Sequence, residues 1–395
     1  MSSGGPVLCF DQPDNEGFDL KSAASGTIMS MGNFQSGFSF SIGTGARRAR
    51  KGGLFLKVLT FGEMMLRLKP PAFLRILQAD SFEASYGGAE ANVAVSLSLF
   101  GDEAAYLTKF PENPLGEAAL GTLRRFGVDT GRVLRGGPRL GAYYFEKGTG
   151  SRPTGVVYDR AGSSVATAKR TEFDWPVLLE GIGVFYFSGI TPAVSDELAG
   201  AVEDALAYCR EHGITVVCDL NYRGKMWTPE KARSVMGKLM PFVDVCIAND
   251  EDFEAALGIR AFDGDMSCGI AQAESYRGGM REIMKRYPNC KTVASVLRNV
   301  RSVEESDWMG ILLRGGEFYE SPVHSVHVME GVAAGDAFGA GLMHCLLRRA
   351  DPQETVDFAI AASVLKLAVS GDLNLVTEPE VRAAMAKGGG ARLNR

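Results

Sequence analysis

Short apolar segments alternate with helical segments along most of this chain, and this alternation restricts it to few folds. The pattern predicts strands over 55–61, 104–107, 184–188, 215–219, 245–248 and 292–297, and helices over 89–100, 114–126, 196–212, 229–240 and 250–257. It is typical of an α/β protein whose parallel sheet carries helices on both faces. Ligand sites in such sheets lie beyond the carboxyl ends of the strands, where Asp219, Asn249 and Arg298 fall.

Two stretches depart from this alternation of strands and helices. Residues 64–86 and 140–160 alternate polar and apolar side chains, and the second is rich in tyrosine and phenylalanine. Such alternation predicts antiparallel strands. We expect the two stretches to form a small sheet that closes over the site as a lid and excludes water.

A run of small residues surrounds an acid near the end of the chain. Residues 332–341 read Val-Ala-Ala-Gly-Asp-Ala-Phe-Gly-Ala-Gly, and an apolar helical segment is expected from 342 to about 347. Small residues before a helix allow backbone N–H groups to bind an anion, which the helix dipole also favours. Asp336 could then accept a proton from an attacking hydroxyl. The same pattern also begins ordinary helices, because Asp is a good N-cap.

Composition excludes several classes of protein. The chain has 395 residues and a net charge of -5, so no broad basic face is available for nucleic acid. No apolar run reaches the roughly 18 residues that a membrane span requires. The seven cysteines form no C-x-x-C pair, which favours reduced thiols in a cytoplasmic protein. Only four histidines are present, without a metal-ligand spacing, so a zinc site is not expected.

The ends of the chain differ from its body. Residues 1–53 are rich in Gly and Ser and lack periodicity, which predicts a disordered N-terminal extension. A single domain is expected over 54–387, with the lid strands inserted at about 64–86 and 140–160, and a frayed terminus over 388–395.

Eight motifs occur in a fixed order along the body of the chain. They are Gly-Glu-Met-Met-Leu-Arg-Leu at 62–68, Gly-Gly-Ala-Glu-Ala-Asn-Val-Ala at 87–94, Asn-Pro-Leu-Gly at 113–116, Tyr-Asp-Arg-Ala-Gly-Ser at 158–163, Asp-Leu-Asn-Tyr-Arg at 219–223, Asn-Asp-Glu-Asp at 249–252, Gly-Asp-Ala-Phe at 335–338 and Gly-Asp-Leu-Asn-Leu at 371–375. On these residues the chain resembles the PfkB/ribokinase family of carbohydrate kinases, and within it the 2-keto-3-deoxygluconate kinases.

The resemblance implies a fold and a reaction. The fold would be a ribokinase-like three-layer α/β/α sandwich with a mostly parallel sheet and a small β-sheet lid. The reaction would transfer the γ-phosphoryl group of ATP, with Mg²⁺, to the terminal hydroxyl of 2-keto-3-deoxygluconate or a close sugar acid. Asp336 would act as general base, and the backbone N–H groups of Ala333, Ala334 and Gly335 would form the anion hole.

The resemblance also implies substrate-binding residues. Arginine binds carboxylates in a bidentate manner, so two arginines in matching motifs argue for a sugar acid, although each could instead form a surface ion pair. The implied substrate-binding residues are Gly87, Gly88, Asn92, Tyr143, Tyr158, Arg160, Arg223 and Asp372.

The nucleotide and its metal would be bound by a second set of residues. The family places Asn249, Arg298 and Gly335 near the nucleotide, and Asn249 with Asp252 near hydrated magnesium. Magnesium keeps most of its water ligands, so a sparse polar cluster suffices. Without the resemblance, Asn-Asp-Glu-Asp would be an ordinary acidic helix start.

The sequence departs from the family pattern beside the expected base. Ala333 stands where the family usually has glycine, and alanine would cost about 1 kcal/mol or more if φ is positive there. Glu330-Gly331 replaces the usual acid and its polar neighbour. Two alternatives therefore stay open: a degenerate kinase that binds sugar acid or nucleotide with little turnover, and a kinase for a neutral sugar such as fructose or ribose.

Two further questions depend on the resemblance alone. Lid sheets in this family often pair between subunits, so a homo-oligomer is expected. The sequence does not discriminate between gluconate-derived and galactonate-derived acids, which differ at one hydroxyl.

Overall fold

The structure, a computed structural model, describes residues 56–387. The expected disordered extension over 1–53 and the expected frayed end over 388–395 lie outside the described residues.

The described residues form fifteen strands and eleven α-helices. The strands are β1 (Lys57–Phe61), β2 (Met65–Lys69), β3 (Glu83–Gly87), β4 (Ala104–Leu107), β5 (Lys109–Phe110), β6 (Leu134–Arg135), β7 (Ala142–Glu146), β8 (Gly155–Asp159), β9 (Ile182–Ser188), β10 (Thr215–Asp219), β11 (Val245–Ile247), β12 (Thr292–Val300), β13 (Glu305–Arg314), β14 (Glu317–Glu320) and β15 (His324–His327). The helices are α1 (Ala89–Leu99), α2 (Pro114–Arg125), α3 (Trp175–Leu178), α4 (Ile190–Val194), α5 (Asp196–His212), α6 (Pro229–Leu239), α7 (Asp252–Leu257), α8 (Ala273–Arg286), α9 (Ala334–Leu347), α10 (Pro352–Lys366) and α11 (Glu378–Lys387).

The large sheet is mostly parallel, as the sequence predicts. Its strands lie in the order β14-β13-β12-β11-β10-β9-β1-β4, with β15 paired to β13. The strands from β4 to β12 pair in parallel. The β12–β13, β13–β14 and β13–β15 pairs are antiparallel, and the apolar rhythm did not predict them.

Alternating side chains place an apolar core on each face of the large sheet. In β1, Leu59 and Phe61 pack into one core with α5 to α8, whereas Val58 packs into the other with α1, α2, α9 and α10. In β9, Phe185 and Tyr186 divide in the same way. Because successive strand residues point to opposite faces, these apolar strands require helices on both sides, and the three-layer α/β/α sandwich is confirmed.

Capping residues set the ends of the helices that cover this sheet. Helix α5 begins after Ser195, whose hydroxyl accepts the Leu198 N–H at 3.2 Å, and ends at Gly213, which has a left-handed φ of 66°. Asn113 caps α2 in the same manner. These caps satisfy N–H groups that the first turn leaves without partners. Among the described helices, none is both long enough and apolar enough to cross a membrane.

The two irregular stretches form a second, four-stranded sheet, called the small sheet below. Its order is β3-β2-β7-β8. The β2–β3 and β7–β8 hairpins are antiparallel, as expected, but β2 and β7 pair in parallel. The exclusively antiparallel prediction was wrong at this seam, because the seam joins two hairpins that lie far apart in the sequence.

Two boundaries near the expected site also differ from the prediction. Helix α9 begins at Ala334 and not near Leu342, because the small residues themselves adopt helical backbone. Strand β12 continues to Val300, so Arg298 lies within the strand and not beyond its end.

Candidate active site

A cleft of about 650 Å³ lies between the small sheet and the carboxyl ends of the parallel strands. It is bordered by the ends of β10, β11 and β12, by the N-termini of α1 and α9, and by β2, β7 and β8 of the small sheet. The cleft brings together every residue to which the sequence analysis assigned a role: Gly87, Gly88, Asn92, Tyr143, Tyr158, Arg160, Arg223, Asn249, Asp252, Arg298, Ala333, Ala334, Gly335, Asp336 and Asp372.

Asp336 is the third residue of α9 and is buried at the floor of the cleft. Its Oδ2 accepts a hydrogen bond of 2.8 Å from Asn92 Nδ2, and Asn92 Oδ1 accepts the Gly88 N–H at 3.3 Å. Burial raises the pKa of Asp336 to about 7, although the Asn92 bond favours the charged form. A carboxyl group with that pKa can exchange a proton near neutral pH, as a general base must.

The start of α9 supplies the amide-lined part of the cleft. The N–H groups of Ala334, Gly335 and Asp336 belong to the first turn and have no acceptor within the helix. A Cβ added to Gly335 would meet no atom within 4 Å, so the backbone there faces open space. The expected anion hole over 333–335 therefore coincides with the helix N-cap and the first two residues of α9.

Ala333 adopts the strained conformation that the sequence raised as a possibility. As the N-cap of α9 it has φ 63° and ψ 12°, in the left-handed region. An alanine there costs about 1–2 kcal/mol relative to a right-handed conformation. The replacement of the family's usual glycine thus lowers stability, but it does not prevent the turn from forming.

Close backbone approaches explain the two glycines before α1. A Cβ on Gly87 would lie 2.0 Å from Asp372 Oδ2, and a Cβ on Gly88 would lie 2.0 Å from the Glu63 carbonyl oxygen. Any larger residue would push the α1 N-terminus away from these neighbours. The glycines therefore allow the β3–α1 turn to form one wall of the cleft.

The two predicted arginines have different surroundings. Arg160 is paired with buried Glu63, whose Oε2 lies 2.7 Å from Arg160 Nε and 2.5 Å from Nη2. Arg223 donates to the Tyr222 carbonyl at 2.8 Å and forms no ion pair within residues 56–387, although its charge partly opposes the burial that raises the pKa of Asp219, Asp252 and Asp336. Arg223 is exposed to the cleft, so its guanidinium can bind an added anion.

Asp372 is held by the small sheet. The Tyr143 hydroxyl donates to its Oδ2, and Arg67 Nη1 lies 3.2 Å from its Oδ1. Burial raises the pKa of Asp372, while Arg67 acts in the opposite direction. Tyr158 packs beside Tyr143, with 5.9 Å between ring centroids and a tilt of 38° between the rings, and is 41% exposed.

The residues predicted to act on magnesium are already engaged with the backbone. Asp252 accepts the Tyr222 N–H at 2.7 Å and the Asn249 N–H at 2.9 Å, one on each oxygen. Asn249 Oδ1 accepts the Val296 N–H at 2.8 Å. Burial raises the pKa of Asp252 to about 6. These groups join the segments after β10 and β11 to β12, and they retain lone pairs that can accept bonds from metal-bound water.

Arg298 forms the far end of the cleft. Its guanidinium pairs with Asp250 and lies 5.3 Å from the ring centroid of Trp308. Asp250 has a left-handed φ of 38° and also accepts the Tyr276 hydroxyl at 2.9 Å. A cation stacked on an aromatic ring at an open rim is suited to anionic or planar ligand groups.

Several cleft residues had no role assigned from the sequence. Asp219 ends β10, at the edge where the sequence predicted ligand sites, but without a specific role. Glu63 lies in the first quoted motif and Lys225 follows Arg223 by two residues, so their positions could have indicated them. Glu90 is the second residue of α1, buried, and accepts hydrogen bonds from the Ser188 and Thr191 hydroxyls. Trp308 lies on β13, a strand that the apolar rhythm did not predict.

Comparison with known proteins agrees with this architecture. The sequence profile described as pfkB family carbohydrate kinase matches residues 56–378. A 2-dehydro-3-deoxygalactonokinase from Haloferax volcanii is 36% identical over 339 residues, which is 86% of this chain and 99% of that protein.

Two solved structures extend the similarity to three dimensions. A 2-dehydro-3-deoxygluconokinase from Thermotoga maritima is 45% identical, with a TM-score of 0.80 over 84% of this chain and 99% of that one. A PfkB family carbohydrate kinase from Listeria grayi is 35% identical, with a TM-score of 0.78 over 84% and 100% of the two chains. The chain therefore belongs to the pfkB family of carbohydrate kinases.

Proposed function

We propose that this kinase transfers the γ-phosphoryl group of ATP to the terminal hydroxyl of 2-keto-3-deoxygluconate or of its galactonate-derived isomer. One observation carries the proposal: buried Asp336, the open first turn of α9 and unpaired Arg223 line the same cleft. A base and an anion cradle serve any sugar, whereas an arginine without a carboxylate partner favours a substrate that carries an acid. The names of the similar kinases from Haloferax volcanii and Thermotoga maritima support the same substrate class.

Each group has a defined task in this reaction. Asp336 accepts the proton of the substrate hydroxyl as its oxygen attacks the γ-phosphorus, and the bond from that phosphorus to the β,γ-bridging oxygen breaks as ADP leaves. The free N–H groups of Ala334 and Gly335 stabilise the charge on the transferred phosphoryl group. Arg223 binds the substrate carboxylate, so the hydroxyl at the opposite end of the sugar points toward Asp336.

The residues present fit a hydrated magnesium ion. Within residues 56–387 no three His, Cys, Asp or Glu side chains come together as direct metal ligands. Asp219 and Asp252 are buried carboxylates on the same side of the cleft, and each has backbone N–H partners that leave lone pairs available. They would hold Mg²⁺ mostly through its water ligands. When bound with ATP, the ion supplies neutralisation of the β- and γ-phosphate charge.

The closing test is a substrate panel with purified protein and Mg-ATP, scored by ADP release. We expect turnover with 2-keto-3-deoxygluconate, with 2-keto-3-deoxygalactonate or with both, and kcat/KM for fructose and ribose lower by about 100-fold or more, because an uncharged sugar leaves Arg223 without its partner. Equal turnover of a neutral sugar would contradict the assignment of an acid. Calorimetric binding of the sugar acid without ADP release would favour a degenerate kinase.

A further inference from the structure

A buried ion network joins the small sheet to the floor of the cleft. Arg67 lies on β2 and is 1% exposed, although it carries a full charge. Its Nη2 pairs with Glu330, and its Nη1 lies 3.2 Å from Asp372 Oδ1. The guanidinium also lies 4.0 Å from the ring centroid of Phe145, on β7. One cation thus contacts two strands of the small sheet and two segments that border the cleft.

The two carboxylates extend the network in different directions. Glu330 accepts the Gly371 N–H at 3.1 Å and the Ser370 hydroxyl at 3.3 Å, which fixes the segment that leads to Asp372. Glu330 also begins the short segment that ends at Ala333, the N-cap of α9. Arg67 therefore contacts the Asp372 carboxylate directly and, through Glu330, the segment that leads to the amide-lined turn.

Stability alone is a weak explanation for this arrangement. Burying a guanidinium and two carboxylates costs desolvation energy that their attraction only partly offsets, and apolar replacements of such networks are often neutral or stabilising. The guanidinium is planar with fixed donor directions, so it can orient two carboxylates at once. Two further cations lie in the same region: Lys69 Nζ lies 3.9 Å from Glu330 Oε2, and fully buried Lys366 donates to the Val369 carbonyl at 2.9 Å.

We propose that Arg67 is a positioning residue. It orients Asp372 as a hydrogen-bond acceptor for a substrate hydroxyl, and it holds the small sheet in a fixed position relative to the start of α9. The identity of the substrate that Asp372 binds rests on the proposed function. The contacts by which Arg67 joins the small sheet to Asp372 and to the start of α9 do not. Asp372 lines the cleft although it is only 3% exposed, and its Oδ2 packs against Gly87 and accepts the Tyr143 hydroxyl, so a substrate hydroxyl would bind beside that of Tyr143.

The charged groups around Asp372 define how the link can be measured. It is faced by Arg67 from β2, Tyr143 from β7, Lys366 from α10, Glu330 from the preceding segment and Asp336 from α9. Burial raises the pKa of Asp372, and Arg67 gives the largest opposing effect. Removal of Arg67 should therefore raise that pKa further, so Asp372 becomes protonated at a higher pH.

The test compares Arg67→Met, Arg67→Lys and a control, Arg348→Met. Arg348 caps the opposite end of α9 and pairs with Asp102, outside the cleft. For Arg67→Met we expect KM for the sugar acid to rise by about 10–100-fold, KM for ATP to change much less, and the acidic limb of kcat/KM to move to higher pH. Arg67→Lys should restore part of this, because it can still reach one carboxylate.

A second measurement needs no turnover. Hydrogen–deuterium exchange of the substrate-free protein should rise in Arg67→Met both in β2 and β7 and in 330–335 and 370–374, and Arg348→Met should leave all four segments unchanged. If exchange rises while the wild type phosphorylates no sugar acid, the proposed function fails and the positioning role stands. If Arg67→Met matches Arg348→Met in exchange, KM and pH profile, the positioning role is overturned.

Discussion

The two walls of the cleft differ in whether every arginine they carry is paired with a carboxylate of the protein. On the small-sheet wall, Arg160 in the cleft lining and Arg67 buried within the same sheet are each paired with a carboxylate of the protein. On the large-sheet wall Arg298 also pairs with Asp250, but Arg223, between β10 and α6, forms no ion pair within residues 56–387. In a paired arginine, the guanidinium N–H groups are already bonded to a carboxylate of the protein. In an unpaired arginine, they remain available to bind a ligand. We infer that the first wall sets geometry and the second binds the charged group of the substrate.

Both walls bind the substrate in front of Asp336, so replacement of this base should reduce turnover more than any other substitution. We expect Asp336→Asn to lower kcat by a factor of about 10²–10⁴, because the hydroxyl loses its proton acceptor while the wall contacts remain. Dissociation constants for the sugar acid and ATP, measured by calorimetry, should change little. Unchanged turnover would remove Asp336 from the role of base.

The same substitution makes a second, opposite prediction about folding. Burial raises the pKa of Asp336 from 3.8 to about 7, so its contribution to stability is present at low pH and is lost as the pH rises through 7. Asp336→Asn should therefore be at least as stable as the wild type at pH 8, with the difference shrinking below pH 4. Thermal unfolding at both pH values measures this.

Substitution of one arginine on each wall tests the comparison directly. Arg223→Met should raise KM for the sugar acid by about 10–100-fold, because hydrogen bonds to charged groups contribute about 1.5–3 kcal/mol. It should change the thermal midpoint less than Arg160→Met does, since Arg223 is exposed and forms no ion pair, and its charge acts only at longer range on buried Asp219, Asp252 and Asp336. Arg160→Met should instead lower the midpoint, because it leaves Glu63 buried without its cation. If both variants lose the same stability, the two walls do not differ as described.

The pH profile gives the next effect in size. Because burial raises the pKa of Asp336 to about 7, the base is protonated below that value and kcat should fall by about tenfold per pH unit on the acidic side. Asn92→Ala removes the 2.8 Å bond that favours the charged form, so the limb should move to higher pH. Asn113→Ala, which removes the cap of α2 outside the cleft, should leave the limb in place. Movement of the limb in both variants would contradict the assignment.

The difference between the two walls also shows which features the sequence could predict and which it could not. Helix α5 agrees with its predicted range because both of its caps, Ser195 and Gly213, are local signals. Apolar runs predicted the parallel strands, and motifs at strand ends predicted the residues that line the cleft. The pairing of Arg160 with Glu63 spans 97 residues, so no local pattern indicated it, and the same holds for Arg67 with Glu330 and Asp372. The sequence thus indicated where the arginines lie, but not which of them are paired with carboxylates of the protein itself.

The smallest effect concerns the turn between the walls. Ala333 has φ 63°, where glycine carries no steric penalty, so Ala333→Gly should raise the free energy of unfolding by about 1 kcal/mol. Ala334 is the matched control: it begins α9 with helical backbone, so Ala334→Gly should lower that free energy by up to about 1 kcal/mol. Urea unfolding at constant pH resolves both changes. Opposite signs at two adjacent alanines would show that the left-handed turn stores strain, and equal signs would show that the added chain flexibility of glycine decides the outcome at both positions.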